Sequence, residues 1–286
     1  MPAPVAPRRH GCASVTSTAP ATRAGHSTVA AMSDATYVEH TPPADLAADV
    51  VCTWTGRVGT SGVPYTDRVL PDGCVDLIWT DGRLMVAGPD TGPVPLTPRP
   101  DTTYVGIRFV PGHAPAALGV PASALRDLRP DLADLWGDRA ARAVAGRFAG
   151  LDTSEGGGCE AAEHVLAQVV RGRIAEAPPA DRVVTGLVAL LRDRAPTGPG
   201  LVATVSRELG VTERSLHRRC TAAVGYGPKT LDRVLRFRRA LALAGTAHLR
   251  PGLIAAAAGY ADQAHLTREC RRLAGQTPSE LFKTAG

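Results

Sequence analysis

The amino-acid sequence predicts an α+β chain in two parts: a small β-barrel domain with flanking helices, then an all-α domain of two helix-turn-helix units joined by a long helix. Three observations predict it. A helix-turn-helix pattern occurs twice between Leu201 and Phe282. Short β-type runs separated by turn residues fill the stretch from about Thr36 to Pro111. Charge divides along the same line: residues 196–286 hold fourteen Lys/Arg against six Asp/Glu, whereas 34–195 hold fifteen against twenty-one. A length of 286 residues suffices for two hydrophobic cores. No apolar run approaches the roughly 20 residues that cross a bilayer.

Residues 1–35 are rich in Ala, Pro, Ser and Thr, and read as a disordered tail or a misassigned start, with Met32-Ser-Asp as the alternative beginning. The strand candidates follow: Val50–Thr55, Val69-Leu70, Cys74–Trp79, Arg83–Ala87 and Tyr104–Phe109. Pro71-Asp-Gly73, Thr80-Asp-Gly82 and Gly88-Pro-Asp90 supply the turns between them. Such a series predicts a barrel or sandwich over residues 36–136. Alternation places Asp76 and Ile78 on one face and Val75, Leu77 and Trp79 on the other. Asp72, Asp76, Trp79 and Arg108 are the candidates for a pocket that takes a small polar effector. For Asp76 a solvated rim position is the alternative.

From Ala114 to Asp193 the pattern turns helical. Leu118, Leu125, Leu128, Leu132, Leu135 and Trp136 mark short helices broken by Pro115, Pro121 and Pro130. Val165, Leu166, Val169, Val170 and Ile174 form one stripe, and Val183–Leu191 continues the theme. Residues 137–196 read as a helical connector whose stripes either pack on their own barrel or serve dimerisation. Ala195–Gly200 reads as a linker.

Residues 197–286 carry the basic repeat. In Val205–Cys220, Ser206 precedes Gly210 by four, so two helices can cross closely at a tight turn. Thr212 is placed to cap the next helix, and Leu216 and Cys220 fall i, i+4 on its inward face. The second unit repeats this with Ala255, Gly259, Asp262, Leu266 and Cys270. Between them, Pro228 opens a helix with an apolar stripe of Leu231, Val234, Leu235, Leu241 and Ala244. Seventeen residues of helix span roughly 25 Å, compatible with holding two helices near adjacent major grooves about 34 Å apart.

These residues resemble the DNA-binding domain of the AraC/XylS family of bacterial transcriptional regulators. Gly210-Val-Thr with Leu216, Gly225-Tyr-Gly-Pro228, Ile254-Ala255 with Gly259-Tyr and Asp262, and Gly275-Gln-Thr-Pro278 carry the likeness. The family usually places phenylalanine where this chain has Cys220 and Cys270. Leu70–Trp79, Ala87–Asp90 and Gly106–Gly112 resemble an uncharacterised N-terminal domain of some such regulators, and the family commonly has a cupin-like barrel there. The resemblance implies a sequence-specific regulator, not an enzyme, with double-stranded DNA as partner. It also implies RNA polymerase contact, an unidentified small-molecule effector, a homodimer, and a cytoplasmic location at the nucleoid when DNA-bound, with no membrane association.

By position on the recognition helices and by family correspondence, Arg214, His217 and Arg218 are the base-contact candidates of the first unit. Gln263, Thr267 and Arg268 are those of the second. Arg matches guanine O6/N7 and Gln matches adenine N6/N7 with two bonds each. Glu213 and Glu269 either accept from cytosine or pair with neighbouring arginines. Thr212, Arg219, Lys229, Arg233, Arg236, Arg271 and Arg272 are phosphate-contact candidates, which position without specifying.

Two enzymatic alternatives remain to be weighed: a DNA-repair methyltransferase, and a cupin-like enzyme with a DNA-binding tail. The first needs a cysteine activated by an adjacent histidine, and none of the six cysteines is followed by one. The second needs about three histidines and a carboxylate around a metal, and only His113 lies near the β-rich segment. No C-x-x-C pair occurs, so the cysteines read as reduced, small apolar fillers, and no metal or cofactor is expected.

Overall fold

In a computed structural model the described residues are 36–59, 67–96, 99–153, 156–193, 200–246 and 249–283. The expected tail and most of the expected linker lie outside them. No helix among the described residues is long and apolar enough to cross a membrane.

The N-terminal part is built on a five-stranded antiparallel sheet of order β1-β2-β7-β4-β5. Its strands are β1 (Thr36–His40), β2 (Val50–Val58), β4 (Asp76–Thr80), β5 (Arg83–Ala87) and β7 (Thr102–Phe109). A separate two-stranded ribbon joins β3 (Asp67–Val69) to β6 (Val94–Leu96). The Asp81-Gly82 turn connects β4 to β5 with Thr80 opposite Arg83, as that dipeptide favours. The barrel expectation thus takes the form of an open sheet plus a ribbon. Neither β1 nor β6 is foreseen from sequence: β1 is a half-polar edge strand, and β6 is three residues with a central proline.

The two sheet faces differ as strand alternation requires. Leu77, Trp79, Leu84, Val86, Val105, Ile107 and Phe109 bury one face against helices α1 (Ala114–Leu118) and α4 (Gly156–Glu176), which contribute Ala117, Leu118, Leu166 and Val170. The other face carries Cys52, Trp54, Asp76 and Arg108, because Arg108 pairs across both Cys52 and Asp76. Gly106 leaves room on this face for the Trp54 indole; a β-carbon there would stand 2.1 Å from Trp54 Cε2. Short helices α2 (Leu132–Trp136) and α3 (Asp138–Ala145) close the domain beside β5.

The expected connector divides between two cores. Helix α4 covers the sheet, whereas Val184, Leu187, Val188 and Leu191 of α5 (Arg182–Asp193) belong to the C-terminal core. Both stripes are therefore covered within the chain. That C-terminal core comprises α6 (Leu201–Glu208), α7 (Glu213–Val224), α8 (Pro228–Thr246), α9 (Pro251–Ala258), α10 (Gln263–Ala274) and α11 (Pro278–Lys283). Phe237 and Ala240 complete the α8 stripe that Leu231, Val234 and Leu241 begin.

Candidate nucleic-acid interface

Two helix-turn-helix units form, and each is made by the same local chemistry. In the first, Ser206 is buried and its carbonyl accepts from the Val211 N–H at 2.9 Å, closing the turn through Gly210. Thr212 Oγ1 accepts from the Ser215 N–H at 3.2 Å, which caps α7. In the second, the Ala255 carbonyl accepts from the Tyr260 N–H at 2.8 Å, and Asp262 Oδ1 accepts from the His265 N–H at 2.6 Å. Leu216 with Cys220, and Leu266 with Cys270, are fully buried. The thiol of Cys220 donates to the Tyr226 carbonyl at 3.2 Å, so a small residue here also satisfies a backbone acceptor.

These anchors fix which side chains remain outside. Arg214, His217 and Arg218 are exposed on α7, as are Gln263 and Arg268 on α10. Thr267 is half-buried and its hydroxyl donates to the Gln263 carbonyl at 2.9 Å, an engagement with its own helix. The His217 ring lies over Gly227, where a β-carbon would be 2.6 Å from Nε2.

The expected phosphate contacts separate into two groups. Lys229, Arg271 and Arg272 are exposed, and Thr212 is committed to its cap. Three arginines instead hold carboxylates inside the domain. Arg219 grips Asp181 through Nε at 2.7 Å and Nη2 at 2.8 Å. Arg233 pairs with Glu269 at 3.0 Å, and Arg236 with Asp232 one turn away. Glu269 thus takes the arginine-paired alternative. Burial alone would raise the Asp181 carboxyl, but the Arg219 guanidinium and the N–H groups of Val183 and Val184 outweigh it and lower it.

Of the four effector candidates, three come together and one does not. Arg108 is 7% exposed and makes a two-bond fork to Asp76, Nε–Oδ1 at 3.1 Å and Nη2–Oδ2 at 3.0 Å. Asp72 lies 3.5 Å from its Nε, and Glu39 accepts from Nη1 at 3.0 Å. Trp54 Nε1 donates to Asp76 at 3.0 Å. Trp79 is on the opposite face, stacked on Phe148 with centroids 5.2 Å apart, because it is three residues from Asp76 along an alternating strand. The solvated-rim alternative for Asp76 is likewise corrected, since it is 8% exposed. Glu39, Tyr37 and Trp54 were missed from sequence, because nothing local links them to β4 and β7. Burial opposes the charge of Arg108, but Asp76 and Asp72 more than offset it. The Asp72 end of this cluster adjoins the C-terminal domain, since a β-carbon on Gly73 would stand 3.4 Å from Leu231 and 3.5 Å from the Tyr226 hydroxyl; burial lowers Arg238 on α8, and Asp72 opposes that shift.

Burial raises the thiols of Cys52, Cys220 and Cys270 to about 12, and also raises Cys74 and Cys159. This is the reverse of the depressed pKa that a nucleophilic thiol requires. Among the described residues no three His, Cys, Asp or Glu side chains group to hold a metal. His113 Nδ1 instead donates to the Asp49 carboxylate at 2.8 Å, with Thr185 of α5 at 3.4 Å from its other nitrogen.

Residues 205–284 match the family described as a helix-turn-helix domain, and this match spans both units. These residues are similar to helix-turn-helix domains of the AraC type. Residues 38–131 match a domain of unknown function, DUF6597. A comparison with curated proteins finds no match. Among solved structures, a probable AraC family transcriptional regulator from Rhodopseudomonas palustris CGA009 is 19% identical, covering 37% of this chain and 98% of its own, at TM-score 0.32. ToxT from Vibrio cholerae O395 is 10% identical, covering 88% and 97%, at TM-score 0.45. Unsaturated fatty acid bound wild-type ToxT from strain SCE256 is 10% identical, covering 87% and 94%, at 0.44. The matched helix-turn-helix domain supports DNA binding by the C-terminal part of the chain.

Proposed function

We propose that α7 and α10 are two recognition helices that enter adjacent major grooves of one duplex. Arg214, His217 and Arg218 would read the first segment, and Gln263, Thr267 and Arg268 the second. One observation carries the reading: both helices are capped by a side chain at the N-terminal end and buried along one stripe, which leaves these polar groups, the half-buried Thr267 excepted, on the free side. The 19-residue α8 joins the units and spans about 28 Å. Lys229, Arg271 and Arg272 would meet phosphates without further rearrangement. Arg219, Arg233 and Arg236 would do so only by leaving Asp181, Glu269 and Asp232.

Small-ligand control by the N-terminal domain belongs to the same reading. Its support is a cleft of about 680 Å³ between Pro115–Pro121, Arg173–Asp181 and the Arg218–Ala223 flank of α7. A ligand there would touch Arg218 and so change DNA affinity. Asp72, Asp76 and Arg108 offer less, since their hydrogen-bonding groups are already engaged with one another. A homodimer would need a surface other than the covered stripes of α4 and α5.

Selection of bound duplexes by the full chain tests the reading. Arg268→Ala should cost about 1–3 kcal/mol and relax preference at one base position, whereas Arg271→Ala should weaken all sequences alike and reduce the salt slope by about 1. If neither variant changes binding, α10 is not reading DNA.

A further inference from the structure

The far ends of both candidate recognition helices rest on one short piece of the N-terminal domain. Helix α7 ends at Gly225, where an added β-carbon would stand 2.5 Å from Pro89 Cγ and 3.1 Å from the Ala122 carbonyl oxygen. Helix α10 ends at Gly275, where an added β-carbon would stand 3.3 Å from Arg68 Nη1 and 3.8 Å from Pro93 Cγ. Arg68 Nη1 also donates to the Ala274 carbonyl at 3.1 Å, a cation on the negative end of α10. Pro89 and Pro93 are four residues apart, which is at most about 14 Å of chain.

That strap is fastened from behind. Arg129 forks onto Asp90 at 2.9 and 2.6 Å, and Asp127 accepts from the Thr91 N–H at 2.7 Å and its hydroxyl at 2.9 Å. The Gly88 N–H donates to the Leu128 carbonyl at 3.0 Å, and the Asp127 N–H to the Pro89 carbonyl at 3.2 Å. These bonds hold Gly88–Thr91, and the pairing of Val94 with Val69 holds the other flank, so the segment cannot lengthen or slide at low cost. The contacts are at the C-terminal ends of α7 and α10, away from the capped ends that carry Arg214 and Gln263.

We propose that the Pro89–Pro93 strap, with Arg68, sets the relative placement of the two recognition helices, and so determines the spacing of the base segments read together. Arg68 is a positioning residue for α10. This rests on the two-helix reading above. Within the helical domain the end of α7 leads through Gly225–Gly227 into α8, and the end of α10 packs with α8 and α11; the strap adds a second connection, from outside that domain, between the same two ends.

The test uses the full chain and a duplex library in which the distance between the two selected segments varies by single base pairs. Wild type should prefer one spacing over its neighbours by about tenfold, a factor typical of one mis-set base contact. Arg68→Ala and Pro93→Gly should each reduce that preference below about threefold. Base preference within each segment should stay unchanged, and Arg68→Lys should restore part of the discrimination. Melting curves of each variant separate loss of placement from loss of folding. Arg268→Ala run alongside distinguishes the two ideas. If it weakens binding while Arg68→Ala and Pro93→Gly keep wild-type spacing preference, the strap proposal is wrong and the reading stands. If Arg268→Ala has no effect, both fall.

Discussion

Arg108 shows how a residue chosen from sequence for one purpose is used for another. It is nearly enclosed, and its guanidinium is divided among Asp76, Asp72 and Glu39. A buried cation so engaged has little left to offer a ligand, but removing it would strand the Asp76 carboxylate without a counter-charge. Arg108→Met should therefore lower stability by about 3–5 kcal/mol in chemical denaturation of the full chain. An unchanged midpoint would mean that water reaches Asp76 freely. Cys220 and Cys270 give the complementary lesson. They stand where larger residues are usual in the family, yet both are fully buried, with the thiol of Cys220 bonded to a carbonyl. Type and spacing identified these positions as inward-facing; how a small residue fills them depends on neighbours distant in sequence.

Among the elements, the helix-turn-helix pairs were the most legible. Thr212 and Asp262 cap, Gly210 and Gly259 turn, and Leu216 and Leu266 point inward, all within about ten residues of one another. Local physics suffices for these. Helix α5 was not legible as part of this domain, because its stripe fits a sheet or a bundle equally well. Asp181, just before its first turn, caps it by accepting from the Val183 N–H at 2.9 Å and ties it to α7 through the fork with Arg219. Asp181 is lowered in the folded protein, so its contribution is present above the ordinary carboxylate value near 3.9 and is lost as pH falls through the folded value. Asp181→Asn should lower Tm by roughly 2–5 °C at pH 7, with the difference closing below about pH 4. A gap that persists unchanged at pH 3 would assign the effect to the cap rather than the charge.

At the scale of the molecule, two cores meet across a seam. Leu70 of the N-terminal part is buried in the C-terminal core, and Gly73 approaches Leu231 and Tyr226. The C-terminal core also depends on four aliphatic side chains of α5, each worth about 1.5–3 kcal/mol when fully buried. That sum matches the 5–15 kcal/mol by which a whole domain is stable. A fragment of residues 179–286 should melt cooperatively, whereas 197–286, which lacks α5, should melt without a sharp transition in calorimetry. Equal behaviour of the two would show that α5 is dispensable.

What the sequence alone determined were the features written in nearest neighbours: strand alternation, the Asp-Gly hairpin, the caps, the paired helix-turn-helix units and the charge asymmetry between halves. Tertiary structure alone decided which arginines stay exposed and which are held by carboxylates, where α5 belongs, and that a proline-flanked strap reaches the ends of both α7 and α10. Periodicity and capping act over a few residues, whereas ion pairing and close packing join groups dozens to hundreds of positions apart, and no local pattern records that distance.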